Sequence, residues 1–277
     1  MRTPAENAQL ALLLEVAGTP KPGNVDRHRD LPDVRFEHFL AGAVGAGPGL
    51  RAAGDGTAVG AAFETAVAGM ADQSGGNTQF GALLLLVPLV AAATADSLSR
   101  DAAGTVVDET TVADAAAFYR AFDHVDVTVD DPPADGDVPD VRRGADAVAD
   151  VEAADLTLYD VMDAAADRDD VAREWVEEFE RTFAAADRIA SGTAPVPDRV
   201  AETFLWLLSR RPDTHVGTVH GDRVARRVMV RAQSARDRGH VEEFADALVD
   251  EGINPGTSAD LAAAGCFVAL ERDGIEV

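Results

Sequence analysis

From Phe80 to Ala95 the chain reads FGALLLLVPLVAAATA without one charged residue. Such a segment belongs either in a membrane or at the centre of a protein. As a helix it would span about 24 Å, short of the roughly 30 Å of bilayer hydrocarbon, and Pro88 sits inside it. A buried central helix is therefore the expectation, and everything else must pack around it.

The rest of the sequence supplies helices to do so. Thr3-Pro4-Ala5-Glu6 is a capping-box pattern with proline at the first helical position, predicting a helix to about Ala17. Gly18 to Pro32 reads as an ordered loop. Helical patterns resume over 36–53 with a break near Pro48, then over 57–71 and 112–122. Val171, Trp175, Phe179 and Phe183 recur every fourth residue, predicting one face of an amphipathic helix. Further helices are expected over 198–209, 221–238, 241–249 and 258–271. Val125 to Val129 is the one short alternating run that hints at a strand. The expected fold is all-α, a single compact domain over 1–277, with an exposed acidic, proline-containing connector near 130–140.

Net charge limits the partners. At −25, with a pI near 4.4, a broad basic face for nucleic acid or anionic membrane is not expected. Such self-repulsion is tolerable in very high salt, so the acidity reads as adaptation to it. Cys266 is the only cysteine, so no internal disulfide can form, and it lies in an apolar helical run that suits packing. The apolar run Leu10 to Leu14 is interrupted by Glu15 and followed by no cleavage pattern, so a cytoplasmic location is expected.

Lysine has been almost eliminated, yet Lys21 remains, in Pro20-Lys21-Pro22-Gly23-Asn24. Two prolines stiffen that turn, and a compact ammonium suits a phosphate oxygen. The alternative is a lone surviving surface lysine. Apart from Asn7, the asparagines are Asn24, Asn77 and Asn254, all beside glycine in turns near helix starts. Helix N-termini attract phosphate, although each Asn or Thr could equally be a simple cap.

These three turns carry a specific resemblance. Glu15-Val16 through Pro20-Lys21-Pro22-Gly23-Asn24-Val25-Asp26-Arg27-His28 resembles the N-terminal signature of the triphosphoribosyl-dephospho-CoA synthase family. Gly75-Gly76-Asn77-Thr78-Gln79-Phe80-Gly81 is similar to its central motif, and Asn254-Pro255-Gly256-Thr257-Ser258-Ala259-Asp260-Leu261 to its C-terminal one. Gln79-Phe80 stands where members acting with citrate lyase carry His-Lys, and Ala166-Asp167-Arg168-Asp169-Asp170 where they have a Pro-Gly-rich stretch. The form looks closer to a halophilic archaeal branch.

The resemblance implies a transferase that joins the ribose C1 of ATP to the 2′-hydroxyl of 3′-dephospho-CoA and expels adenine. Lys21, Arg27 and the N–H groups around Asn77 and Gly256 are then expected to anchor the triphosphate. Gly23, Asn24, His28, Thr78, Asn254 and Thr257 join them as substrate contacts. Mg²⁺ bridging the phosphates is expected on carboxylates drawn from Asp30, Glu64, Asp213 and Asp260. Glu64 could instead be a solvated helix face, and Asp260 a cap. Lys21, Glu64 and His215 are the catalytic candidates, with His215 as a base or else an ordinary polar contact. Partners are expected to be small nucleotides, with a homodimer left open. The same nucleotide site acting on another cofactor precursor, or a non-catalytic nucleotide- or partner-binding protein, are the competing readings.

Overall fold

The computed structural model describes residues 2–93, 98–131, 138–272 and 274–277. Helix α5, Phe80–Ala92, occupies the centre, and nearly all its side chains are buried. The remaining residues of the apolar run, 94 and 95, lie outside the described residues. Pro88 does not break α5, although it cannot donate to the Leu84 carbonyl one turn back. The indole Nε1 of Trp175 donates to that carbonyl instead, at 3.2 Å. Among the described residues no helix is long and apolar enough to cross a membrane.

A second buried helix lies beside the first. Helix α16, Gly256–Glu271, is apolar or small almost all round and packs against α1 (Pro4–Ala17), α5, α11 (Glu180–Ser191) and α12 (Val196–Leu208). Small residues permit the approach: a Cβ on Gly265 would lie 2.7 Å from Ala185 Cβ of α11. Helix α1 starts as expected, with Thr3 and Glu6 forming a reciprocal capping box. The 36–53 pattern resolves into α2 (Phe36–Gly45) and α3 (Gly47–Gly54), broken at Ala46. Next come α4 (Val59–Met70), α6 (Arg100–Asp108) and α7 (Val112–Ala121). A 3₁₀ turn at Val141–Ala147 leads into α8 (Val148–Ala153) and α9 (Leu158–Ala165). Helices α13 (Thr214–His220), α14 (Asp222–Arg238) and α15 (Val241–Asp250) complete the set.

Two expectations need correction. The Val171–Phe183 recurrence is not one helix: α10 (Asp170–Val176) stops short, and α11 starts only after Glu178 and Phe179, at φ of 52° and 58°. Buried Glu174 explains the break, because its carboxylate turns back to accept from the backbone N–H groups of Arg181 and Thr182 and so caps α11. All four apolar residues are nonetheless buried. The Val125–Val129 run forms no strand. Its valines are half-buried and its polar residues exposed, without a pairing partner among the described residues. The result is an all-α fold.

Candidate active site

The three glycine-asparagine turns, far apart in the chain, open on one cavity of about 550 Å³. Asn24, Asn77, Thr78, Gln79, Asn254, Gly256 and Thr257 all line it. So do His215, from the first turn of α13, and Asp260, from the second turn of α16.

Local chemistry explains the convergence. Asp26, wholly buried, organises the first turn: its carboxylate accepts from Thr19 Oγ1 at 2.8 Å, the Lys21 amide at 3.1 Å and the His28 amide at 2.8 Å. Gly23 adopts φ 75°, and a Cβ there would lie 2.1 Å from the Ile253 carbonyl, so the first and last turns touch backbone to backbone. Asn24 Nδ2 donates to Asn254 Oδ1 at 2.9 Å across that contact. The central turn starts α5, with Asn77 Oδ1 accepting from the Phe80 amide at 3.1 Å. Gly81 then lets α5 press on Asp260, since a Cβ would lie 2.2 Å from Asp260 Oδ2.

Lys21 stands behind the cavity wall rather than on it. It is 0% exposed, and its Nζ donates to Glu15 Oε1 at 2.5 Å and to Asn24 Oδ1 at 3.3 Å. Both acceptors line the cavity, so the lysine holds two wall residues in place. Glu15 was not among the sequence candidates, although a carboxylate interrupting an apolar helical run was a signal. Burial pushes its pKa up despite the opposing Lys21 charge.

The metal candidates do not assemble. Asp30 caps α2 by accepting from the Phe36 amide, and Glu64 is taken up by a fork of hydrogen bonds from Arg120 of α7. Asp213 caps two helices at once, accepting from the Val216 amide and from the amide and hydroxyl of Ser258. Of the four, only Asp260 lines the cavity. Among the described residues no group of three His, Cys, Asp or Glu side chains is placed to hold a metal. Arg27, bonded to the Ala17 carbonyl and Asp198, and His28 also lie off the cavity.

The wall contributes residues that the motifs did not indicate. Asp169 caps α10 (Asp170–Val176) through the Val171 amide at 2.7 Å, and Arg168 precedes it. Asp126, Asp130 and Asp140 also lie along the wall, so the ends of the supposed exposed connector belong to the site; residues 132–137 lie outside the described residues. Among the described residues, six carboxylates thus line the cavity together with one guanidinium and one imidazole. Burial raises the Asp260 pKa well above 3.8, and the charges of Glu15, Asp213 and Asp169 push it further. Thr257 Oγ1 accepts from the His215 amide at 3.2 Å and lies 3.0 Å from Thr214 Oγ1, which fixes the start of α13 against α16. An imidazole, a carboxyl group whose pKa burial raises and a ring of carboxylates can together move protons and hold a metal-bound polyphosphate.

Comparison with known proteins agrees with this geometry. The profile of the CitG family, ATP:dephospho-CoA triphosphoribosyl transferase, matches residues 1–276. The fold is similar to a crystal structure from Archaeoglobus fulgidus to which the name triphosphoribosyl-dephospho-CoA synthase has been assigned. The two share 28% identity with a TM-score of 0.70, over 84% of this chain and 99% of that one. No curated protein gives a match. The chain belongs to the ATP:dephospho-CoA triphosphoribosyl transferase family.

Proposed function

We propose that this protein transfers the 5-triphosphoribosyl group of ATP to the 2′-hydroxyl of 3′-dephospho-CoA and releases adenine. The observation that carries this is the meeting of Asn24, Asn77–Thr78 and Asn254–Thr257 on one cavity that also holds His215 and Asp260. In the reaction the bond from ribose C1′ to adenine breaks, its electron pair leaves with the base, and a bond from C1′ to the acceptor oxygen forms. His215 is assigned the proton of the acceptor hydroxyl. Asp260, whose pKa burial raises, is assigned the proton that adenine takes as it leaves. The remaining carboxylates favour positive charge developing at C1′.

The acidity of the cavity bears on the substrate form. A bare triphosphate would be repelled by the ionised wall carboxylates, so it enters as its Mg²⁺ complex. The metal would be held by phosphate oxygens, water and one or both of Glu15 and Asp169. The charge of −25 supports a salt-rich cytoplasm of a halophilic archaeal type as the setting of this reaction. Incubation with ATP, Mg²⁺ and dephospho-CoA in concentrated KCl should release adenine and give a coupled product of matching mass, and EDTA should stop both. Folded protein that releases no adenine under these conditions would overturn the assignment.

A further inference from the structure

A second, smaller cavity of about 110 Å³ lies where α11 ends and α12 runs back past it. Its wall is Arg188, Ser191, Gly192, Arg199, Glu202 and Thr203, none of which lines the first cavity. Gly192 makes room for Arg199: a Cβ there would lie 2.4 Å from Arg199 Cδ, so the arginine lies across the end of α11. Its Nη1 donates to the Ile189 and Gly192 carbonyls, both at 3.1 Å. The Arg188 guanidinium stands over the Trp206 ring, 5.6 Å from the centroid. Both guanidinium groups are therefore held before any ligand arrives.

The pair lacks a negative partner. The Nε of Arg188 and that of Arg199 are buried and hydrogen-bonded to nothing among the described residues, although buried donors are nearly always satisfied. Glu202, the one carboxylate of the wall, is exposed, and no ion pair joins it to either guanidinium among the described residues. Arg236 of α14 adds like charge nearby: burial first, and then the charge of Arg188, hold its pKa below the ordinary value. We propose that this cavity binds a small inorganic anion, a halide or a tetrahedral oxyanion, between Arg188 and Arg199, with the Thr203 hydroxyl as a further donor. Thr203 is 1% exposed and lines the same wall. Guanidinium N–H groups make strong, charge-assisted hydrogen bonds to such ions. A nucleotide is too large, since pockets for ligands of that size run from roughly 300 Å³ upward. The anion ties α11 to α12, which both pack on α16, so it acts on stability rather than on turnover.

The test follows the melting temperature while potassium gluconate, whose anion is too bulky for the cavity, is replaced by KCl at constant ionic strength. A second series replaces it by potassium phosphate. A bound anion gives a rise that saturates, by roughly 5–10 °C at about 100 times its Kd. Saturation with chloride alone marks a halide site, and saturation with phosphate alone an oxyanion site. Arg188→Gln should shift the midpoint at least about tenfold, the loss expected for a hydrogen bond from a charged group. If that variant does not fold, Thr203→Val is read in its place and should shift the midpoint in the same direction. Glu202→Gln removes a like charge from the ligand and should move the midpoint to lower concentration. Rises without saturation in both series overturn the proposal, as does a midpoint that Arg188→Gln, or Thr203→Val in its place, leaves where it was. A Glu202→Gln variant that melts lower in gluconate and binds no more tightly would make Glu202 the counter-ion, which also overturns it.

Discussion

The buried Nζ of Lys21 lies 2.5 Å from Glu15 Oε1, joining the only lysine of the chain to a carboxylate on the cavity wall. Removing one partner of a buried pair leaves an uncompensated charge and costs about 3–5 kcal/mol. Lys21→Met should therefore lower the melting temperature by on the order of 10 °C, at about 2–4 °C per kcal/mol for a chain of this size. The double variant Lys21→Met/Glu15→Gln should lose less than the sum of the single losses. Lys21→Arg is predicted to fail in stability as well as turnover, since a fully buried slot shaped for an ammonium has no room for a guanidinium. Thermal melts of the four proteins check this, and additive losses would dissolve the pairing.

Asp260 gives a prediction with a definite sign. Burial raises its folded-state pKa well above 3.8, so the native protein holds that proton more tightly than the unfolded chain does. Its contribution to stability is complete below the unfolded value and is lost as pH rises through the folded one. Asp260→Asn mimics the protonated form at every pH. It should melt higher than wild type at pH 7, by roughly 2–4 °C for each kcal/mol relieved, with the gap closing towards pH 4. Adenine release should collapse in the same variant. Melting curves at several pH values decide it; a gap that widens on acidification would reverse the sign.

Gly23 holds the first and last turns together by having no side chain. At φ 75°, with the Ile253 carbonyl 2.1 Å from any added Cβ, Gly23→Ala must strain the turn and separate it from the 253–255 segment. The strain alone costs about 1–3 kcal/mol. The larger sign should be functional: the Asn24–Asn254 hydrogen bond is lost, and the KM for ATP rises more than stability falls. Kinetics beside a melt separate the two effects.

What the sequence disclosed follows from the range over which each signal acts. The Thr3–Glu6 capping box and the burial of Phe80–Ala92 rest on neighbouring residues, so they were legible. The cavity-facing turns were legible because asparagine is scarce enough here to stand out. Glu64 and Asp30 show the limit. Glu64 meets Arg120, 56 residues away, and Asp30 caps α2, so neither carboxylate reaches the cavity, and no local pattern reports such partners. The same holds for Phe179, whose fourth-residue spacing predicted a continuous helix. The inward turn of Glu174, set by the three-dimensional path of α10 and α11, decided otherwise. Asp169 and Arg168 were missed because they lie in a stretch that departs from the family pattern, where resemblance gave no guidance.

His215 bears the sharpest test of the chemistry. Its backbone is fixed by Thr257 and its helix by the Asp213 cap, and Gly256 leaves room for the ring, with an added Cβ there 3.4 Å from the imidazole. His215→Asn retains a polar side chain of similar size but removes the titratable proton. If the imidazole takes the acceptor proton, kcat should fall by about 10²–10⁴ while ATP still raises the melting temperature as it does in wild type. A variant that keeps its turnover, or one that loses ATP binding along with it, would move His215 from proton transfer to substrate positioning, and the base would then have to be sought among the wall carboxylates Glu15 and Asp169.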